Sequence, residues 1–368
     1  MSEYLPGLEP DFDVKQQLRF VGGMPDLHQF DMVFISCSGG KDSHSMAYLL
    51  AELAHRQNYD KSKMELIYAD TGLEWHDTFD QVQRIGTALG IKSVKVLPKY
   101  TLLDNVRRRW AKFNGLPEDW KTAKSVDIRT GQDRTGQAFR DGKTEPLPIR
   151  FRTTNNGSAT ATTSEVRSKR LSVSEQPDHV VSELGKTVPS GTVCQSKNIR
   201  GGGQCNRPFP SQFARFCTAW GKQEPQFQHI KRQGGRLDAV KFLMCTGERR
   251  EESARRAAYP EWSIHKALTT QKRKVYSWRP MLDFKVADVW QMVRDSGIAP
   301  HEAYLAGCDR LGCTMCIFAG DCGRMAKDVK ISCLNNPEQF EELDKLEADT
   351  GYTMSISGVR VRDIVKKA

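Results

Sequence analysis

The sequence predicts an α/β protein built on a doubly wound parallel sheet, with a long polar insertion and a cysteine-rich helical region near its carboxyl end. Three observations support this fold class. Strand-like and helix-like segments alternate through the first hundred residues, which is the pattern of parallel strands joined by crossover helices. A serine- and threonine-rich stretch then interrupts the alternation, and four cysteines lie within 15 residues farther along the chain.

The individual elements follow from short apolar runs, helical periodicity and stop signals. Gly90 closes one helical pattern and Pro98 ends one strand pattern. In order, we predict a strand at 32–35, a helix at 43–56, a strand at 64–69, a helix at 76–89, a strand at 93–97, a strand at 239–245, and amphipathic helices at 286–294 and 337–349.

The interruption divides the chain into five predicted parts. Residues 151–175 contain ten Ser or Thr in 25 positions and almost no large apolar side chain, so burial cannot easily offset the cost of ordering them. We therefore expect a partly disordered insertion. The parts are an N-terminal extension at 1–30, the first half of the core at 31–120, the insertion at 121–207, the second half of the core at 208–300, and the cysteine-rich segment with a C-terminal helix at 301–368.

Composition restricts the class of protein and its surroundings. No apolar run approaches 18 residues and the N-terminus lacks a basic-then-apolar signal pattern, so we expect a cytoplasmic protein without a membrane partner. Ten cysteines in such a reducing compartment favour metal binding or catalysis over disulfides. The net charge of +10 and the basic clusters at 107–109, 249–256 and 272–274 favour a polyanionic partner, either nucleic acid or a phosphorylated small substrate.

The octet SCSGGKDS, Ser36 to Ser43, predicts a phosphate cradle between the first strand and the first helix. Gly39 and Gly40 let backbone N–H groups turn inward, and the following helix contributes its positive N-terminus. Lys41 supplies a point charge. Ser36, Ser38 and Ser43 supply hydroxyl donors, and Asp42 completes the octet. The octet fits neither the NTPase P-loop nor the dinucleotide fingerprint.

The octet resembles the signature of the PP-loop ATP pyrophosphatases. That resemblance implies an adenine nucleotide alpha hydrolase-like (HUP/PP-loop) fold. It also implies that ATP binds with Mg²⁺, that Ser36–Ser43 hold the pyrophosphate, and that the α-phosphate is open to attack.

Five further stretches resemble, in order, the phosphoadenosine phosphosulfate (PAPS) reductase-like branch of these proteins. They are YADTGLEWHDT at 68–78, RFCTAWGKQEP at 215–225, TGERREESARRA at 246–257, RPMLDFKVADVW at 279–290 and GCDRLGCTMC at 307–316. The resemblance implies that the ligand-binding residues include Asp70, Thr71, Gly72, Arg249, Arg250 and Arg256, and that Lys41, Asp42 and Asp70 take part in catalysis. PAPS reductases carry a nucleophilic cysteine in a C-terminal tail, whereas this sequence has none after Cys333. We therefore expect a different activity.

Cys308, Cys313, Cys316 and Cys322 are candidate metal ligands, with four, two and five residues between successive cysteines. Four thiolates at this spacing are compatible with a [4Fe–4S] cluster or with a structural Zn²⁺. The run resembles that of the Dnd-type DNA phosphorothioation ATPase, which implies the iron–sulfur cluster. The stretch RFCTAW also resembles a part of the adenylylsulfate reductases that supplies cluster ligands. This second resemblance implies that Cys217 is an alternative ligand.

These resemblances imply an enzyme that adenylates an oxygen of its substrate so that sulfur can replace it, with DNA or tRNA as the expected acceptor. A sulfur donor such as a cysteine desulfurase is a further expected partner. Two alternatives stay open: a sulfonucleotide (PAPS or APS) reductase, and a nucleotide-binding subunit of a DNA modification or defence complex.

Overall fold

A computed structural model describes residues 14–114, 126–127, 132–133, 208–211, 214–233, 239–317 and 323–368. Most of the predicted insertion at 121–207, and part of the predicted N-terminal extension, therefore lie outside the described residues. The predicted boundaries between the five parts stay predictions. No helix in the described ranges is both long and apolar enough to cross a bilayer.

The central element is a six-stranded sheet with the strand order β5-β4-β3-β8-β10-β9. All neighbouring pairs are parallel except β10 with β9, which is antiparallel. The described strands are β1 (Phe20–Val21), β2 (Met24–Pro25), β3 (Met32–Ser36), β4 (Met64–Ala69), β5 (Lys92–Val96), β6 (Val126–Asp127), β7 (Gln132–Asp133), β8 (Val240–Cys245), β9 (Trp262–Ile264) and β10 (Arg273–Trp278).

Helices cover both faces of the sheet, which confirms the predicted α/β doubly wound class. They are α1 (Lys41–Arg56), α2 (Thr78–Leu89), α3 (Leu102–Phe113), α4 (Phe216–Thr218), α5 (Glu224–Gln233), α6 (Ala254–Ala257), α7 (Val286–Asp295), α8 (Glu302–Leu305), α9 (Gly323–Asn335), α10 (Pro337–Thr350) and α11 (Val361–Lys367). Short 3-10 turns occur at Leu27–Gln29, Lys61–Lys63 and Arg250–Glu252, and a π-helical segment spans Ala219–Gln223.

The alternation of side chains along β3 shows how the two faces are built. Val33 and Ile35 pack into one core with residues of α1, α2 and α7. Phe34 points to the opposite face and packs with Ile230 of α5 and Phe242 of β8. Every residue of β4 is buried, as expected for a parallel strand covered by helices on both sides.

A separate apolar cluster joins the C-terminal helices to α3. It contains Leu102 and Val106 of α3 together with Leu343 of α10 and Ile364 of α11, all essentially inaccessible to solvent. The polypeptide between α8 and α9 also contributes Met315 to this cluster. The C-terminal region is therefore anchored to the α/β core through α3.

The predicted strands and helices were confirmed to within about two residues at each end. Several further elements, among them α3, α5, α9, β9 and β10, were not predicted. Chain order changes direction in the sheet between β3 and β8. In open α/β sheets, ligands bind outside the carboxyl ends of the strands at such a switch point.

Candidate functional site

The predicted cradle lies at this switch point, on the floor of a cavity of about 680 Å³. The volume is in the range of small-molecule sites in proteins. Its lining comes from the carboxyl ends of β3, β4, β8 and β10, from α5 and the π-helical segment, and from the loop after α8. Among the lining residues are Ser36, Ser38, Gly40, Lys41, Asp42, Ser43, Glu74, Lys222, Gln226, Glu248, Arg249, Arg256, His265, Arg279, Tyr304 and Arg310.

The glycine turn is fixed by contacts within the octet. Gly39 has φ of +74°, a left-handed conformation that favours glycine. The Ser43 hydroxyl accepts from the Ser38 N–H at 3.1 Å and donates to the Gly40 carbonyl at 3.0 Å. Gly40 is the N-cap of α1 and has no side chain to cap it. The positive end of a 16-residue helix therefore faces the cavity, as an anion site requires.

Carboxylates neutralise the cations beside the cradle. Lys41 Nζ lies 3.3 Å from Asp42 Oδ2, and Arg249 Nε donates to Asp42 Oδ1 at 2.6 Å. Arg249 also pairs with Glu251, and its side chain is only 4% exposed. Because Asp42 holds both cations, a bound polyphosphate would have to replace that carboxylate as their partner.

Five of the predicted ligand-binding residues do not line the cavity, namely Gly39 of the glycine turn together with Asp70, Thr71, Gly72 and Arg250. Asp70 accepts from the Gly72 N–H at 2.8 Å and pairs with Lys95 Nζ at 2.6 Å, which makes it a turn-forming residue beside the site. Thr71 and Gly72 belong to that same turn. Arg250 donates to Asp283 Oδ1 at 2.7 Å and to the backbone carbonyl of Tyr259 at 3.0 Å. The predicted roles of these residues stay predictions.

Tyr304 enters the cradle from a distant part of the sequence. Its hydroxyl accepts from the Lys41 N–H at 3.0 Å and from the Leu311 N–H at 3.3 Å. The Tyr304 ring makes an edge contact with Trp290, with the ring centroids 5.0 Å apart. Burial raises the pKa of Tyr304 to about 12, so the hydroxyl keeps its proton at neutral pH.

A buried ion pair forms the wall of the cavity next to the cysteines. Lys222 Nζ lies 3.0 Å from Glu74 Oε1, and Glu74 Oε2 accepts from both the N–H and the hydroxyl of Thr71 at 2.7 Å. Burial alone would raise the pKa of Glu74, but Lys222 and the Thr71 donors outweigh it, so the pKa lies below its ordinary value. Lys222 belongs to the π-helical segment, a geometry that often occurs at functional sites.

Among the predicted metal ligands that the structure describes, Cys308 lies apart from Cys313, Cys316 and the alternative ligand Cys217. Cys313 donates to Glu74 Oε1 at 3.6 Å, and Cys316 and Cys217 pack around the same apolar cluster as Cys313. Cys308 instead packs with Trp75 and Ala303, and burial raises the pKa of its thiol to about 11.

Cys322 lies outside the described residues. Within the part of the chain that the structure describes, no three His, Cys, Asp or Glu side chains are placed to hold a metal ion. The described cysteines alone therefore do not complete the predicted four-cysteine site. The [4Fe–4S] cluster and the alternative Zn²⁺ stay predictions.

A further part of the cavity wall carries polar atoms without hydrogen-bond partners. Gln226 Oε1, His265 Nδ1 and Arg279 Nε are buried and unpartnered. The nearest carboxylate oxygen to Arg279 Nε is Glu248 Oε2, at 3.8 Å. Buried polar atoms are normally paired, so this wall is suited to a polar ligand.

Sequence reasoning missed Lys222, Tyr304, Arg279 and His265. Lys222 and Arg279 lie within stretches that carried the family resemblance, and that resemblance was the only available signal for them. Tyr304 and His265 stand in no recognised motif.

Most of the basic clusters are engaged within the protein. Arg273 belongs to β10 and donates to the carbonyls of Leu268 and Lys231. Arg107 pairs with Asp104 at 2.9 Å and with Glu342 at 2.5 Å. These clusters therefore give weaker support for nucleic acid binding than their charge suggests, and the nucleic acid partner stays a prediction.

The fold and the cradle together define an α/β protein with a glycine turn, suited to an anion, at the switch point of its sheet. The model of the phosphoadenosine phosphosulfate reductase domain matches residues 32–319, and the chain belongs to that family. It is also similar to an uncharacterized 37.8 kDa protein in the gpa 5′ region of Escherichia phage 186, with 37% identity over 112 residues. That match covers 30% of this chain and 32% of the phage protein.

Proposed function

We propose that the protein is an ATP pyrophosphatase that transfers AMP to an oxygen of its substrate and releases pyrophosphate. The observation that carries this proposal is the cradle itself. A helix N-terminus whose N-cap residue has no side chain, the turn made by the left-handed Gly39, and a buried lysine come together beside one cavity at the switch point. Membership of the reductase domain family supports a nucleotide substrate.

The reaction needs the protein mainly for charge neutralisation. As the acceptor oxygen bonds to the α-phosphorus, the bond to the α–β bridging oxygen breaks, and pyrophosphate leaves with the electron pair. Lys41 and the N–H groups of α1 are placed to stabilise the charge that develops on the leaving pyrophosphate. Arg249 and Arg256 line the same cavity and become available to phosphate oxygens when their carboxylate partners are displaced.

ATP would enter as its Mg²⁺ complex, in which the ion shields the phosphate charge. Asp42 is the carboxylate nearest the cradle and the residue that would contact such an ion. Asp70, the other predicted carboxylate, faces Lys95 instead.

The second half of the proposed reaction is sulfur transfer. A sulfur nucleophile attacks the carbon or phosphorus atom that bears the adenylated oxygen, and AMP leaves with that oxygen and the electron pair of the broken bond. A sulfur donor such as a cysteine desulfurase, together with a thiol that reduces its persulfide, supplies the sulfur. DNA or tRNA remains our proposed acceptor, supported by the net charge of +10. The [4Fe–4S] cluster is a separate proposal. Iron content and visible absorption of anaerobically purified protein test it.

The test follows α-³²P-ATP with protein alone, with DNA and with tRNA, and resolves AMP from ADP. We expect AMP only with the true acceptor, and a loss of about 10²–10³-fold in rate for Lys41→Met. Lys63→Met is the control, because Lys63 is exposed and far from the cavity. If no acceptor gives AMP, the adenylation proposal is wrong.

A sulfonucleotide reductase is the second candidate. The family's description favours it, as does Cys313, whose thiol lies beside Glu74 and the Lys222 side chain that reaches the cavity. Sulfite release from PAPS or APS with reduced thioredoxin, and without AMP formation from ATP, would select this reading. Nucleotide binding without either product would instead indicate a binding subunit of a modification or defence complex.

A further inference from the structure

The hydroxyl group of Tyr304 has one unused hydrogen-bonding capacity. A phenol oxygen accepts up to two hydrogen bonds and donates one. Both acceptor positions are filled, by the N–H groups of Lys41 and Leu311. Among the residues that the structure describes, no oxygen or nitrogen accepts the proton of this hydroxyl. The proton is therefore available to a ligand.

The position of the hydroxyl directs that proton towards the phosphate cradle. A Cβ atom built on Gly40 would lie 3.2 Å from the Tyr304 oxygen, so the hydroxyl rests directly on the glycine turn. Lys41 Nζ lies 5.8 Å from the centroid of the Tyr304 ring. Tyr304, Gly40 and Lys41 all line the cavity. An anion bound at the turn would thus lie within reach of both the Lys41 ammonium and the Tyr304 hydroxyl.

Leu311 connects this hydroxyl to the cysteine-rich segment. Its side chain covers the glycine turn, because Cβ atoms built on Gly39 and Gly40 would lie 3.6 Å and 3.5 Å from its carbon atoms. Its N–H group binds Tyr304, and Cys313 follows two residues later. The Leu311 side chain and its N–H group thus connect the segment to the cradle.

We propose that Tyr304 is a phosphate-binding residue of the cradle, donating its hydroxyl hydrogen to the terminal, pyrophosphate part of a bound nucleotide. The inference rests on the proposed function only because it assumes that the cavity binds a phosphate-bearing ligand. It requires no cleavage of that ligand. Through Leu311, the same tyrosine holds the cysteine-rich segment against the occupied cradle.

Isothermal titration with inorganic pyrophosphate and, separately, with AMP tests this role. A hydrogen bond to a charged group contributes about 1.5–3 kcal/mol, so Tyr304→Phe should weaken pyrophosphate binding about 10- to 100-fold. The affinity for AMP should change less than about threefold. Its single phosphate lies at the α position, which the Tyr304 hydroxyl does not contact in this proposal. Tyr48→Phe is the matched control. It also removes a tyrosine hydroxyl, but from a half-buried position in α1 that does not line the cavity.

Three results would overturn the proposal. These are no pyrophosphate binding by the unaltered protein, an unchanged pyrophosphate affinity in Tyr304→Phe, and equal losses for pyrophosphate and AMP. The last would mean that the hydroxyl only supports the shape of the cavity. These outcomes are independent of the AMP-formation assay, so the proposed function and the role of Tyr304 can fail separately.

A second measurement covers the case in which Tyr304→Phe does not fold. Incorporation of 3-fluorotyrosine at position 304 keeps the ring and the hydroxyl. We expect its ¹⁹F resonance to move on saturation with pyrophosphate and to stay in place with AMP. A resonance that responds to neither, in protein that binds pyrophosphate, would also overturn the proposal.

Discussion

Replacing Glu74 with Gln tests the buried ion pair in the wall of the cavity. The four donors at this carboxylate are the Thr71 N–H, the Thr71 hydroxyl, the Lys222 ammonium and the Cys313 thiol. A glutamine can keep its carbonyl oxygen towards Thr71, but its NH₂ group then faces Lys222. The variant therefore loses a charge-assisted bond and leaves an ammonium group without its partner.

The structure allows the cost to be bounded. A hydrogen bond to a charged group contributes about 1.5–3 kcal/mol, and removing one partner of a fully buried pair costs about 3–5 kcal/mol. Glu74 is 6% exposed but the Lys222 side chain is 34% exposed, so solvent offsets part of the loss. We expect Glu74→Gln to lower the free energy of unfolding by about 2–4 kcal/mol.

A double-mutant cycle measured by urea unfolding separates the pair from its surroundings. Lys222→Met removes the ammonium but keeps much of the side-chain volume. If the two side chains act as a pair, the loss of unfolding free energy in the double variant should be smaller than the sum of the two single losses by at least about 1 kcal/mol. The exposed pair Arg362–Glu341, at 3.2 Å, is the control, and its coupling should stay below about 1 kcal/mol. If the Glu74 and Lys222 losses are additive, the two side chains do not act as a pair and our reasoning is wrong.

Two further predictions concern stability. Burial, only partly offset by backbone donors, raises the pKa of Glu347 from 4.5 to about 7. The folded state thus binds more protons than the unfolded state between these values, and the free energy of unfolding should fall by up to about 3 kcal/mol as pH rises through this window. Glu347→Gln should flatten this dependence of the unfolding free energy on pH. Glu338→Gln, at the exposed start of α10, should leave it unchanged. If both variants give the same pH dependence, Glu347 is not the group that causes it. Gly86→Ala would place a Cβ atom 2.6 Å from the Ile91 carbonyl oxygen and should cost about 1–3 kcal/mol in thermal or urea unfolding. Gly312→Ala, which meets nothing within 4 Å, should cost much less, and similar losses for both would show that the helix-to-strand contact is not the cause.

The cradle could be predicted from sequence because its determinants are local. A buried strand, two glycines and a helix start follow one another within a dozen residues, and each has a backbone preference that does not depend on distant contacts. The same holds for the three predicted strands that lie in the first hundred residues. Parallel strands and their crossover helices are short-range features once the apolar pattern is recognised.

The rest of the site depends on contacts that sequence spacing does not reveal. Arg249 and Arg250 are neighbours, yet the 3-10 turn that begins between them sends one into the cavity and the other to Asp283. Tyr304 meets Lys41 across 263 positions. Neither local propensity nor a sequence motif predicts this contact, because it arises from the packing of α8 beside the start of α1.

The two edges of the central sheet decide whether a second copy could add a strand to it. At one edge, β9 is only three residues long and runs antiparallel to its neighbour. At the other edge, β5 carries Lys92 and Lys95, both with exposed side chains. A second copy adding a strand there would have to bury ammonium groups or find more than three residues to pair with. Both edges of the described sheet therefore oppose the addition of a further strand from another copy.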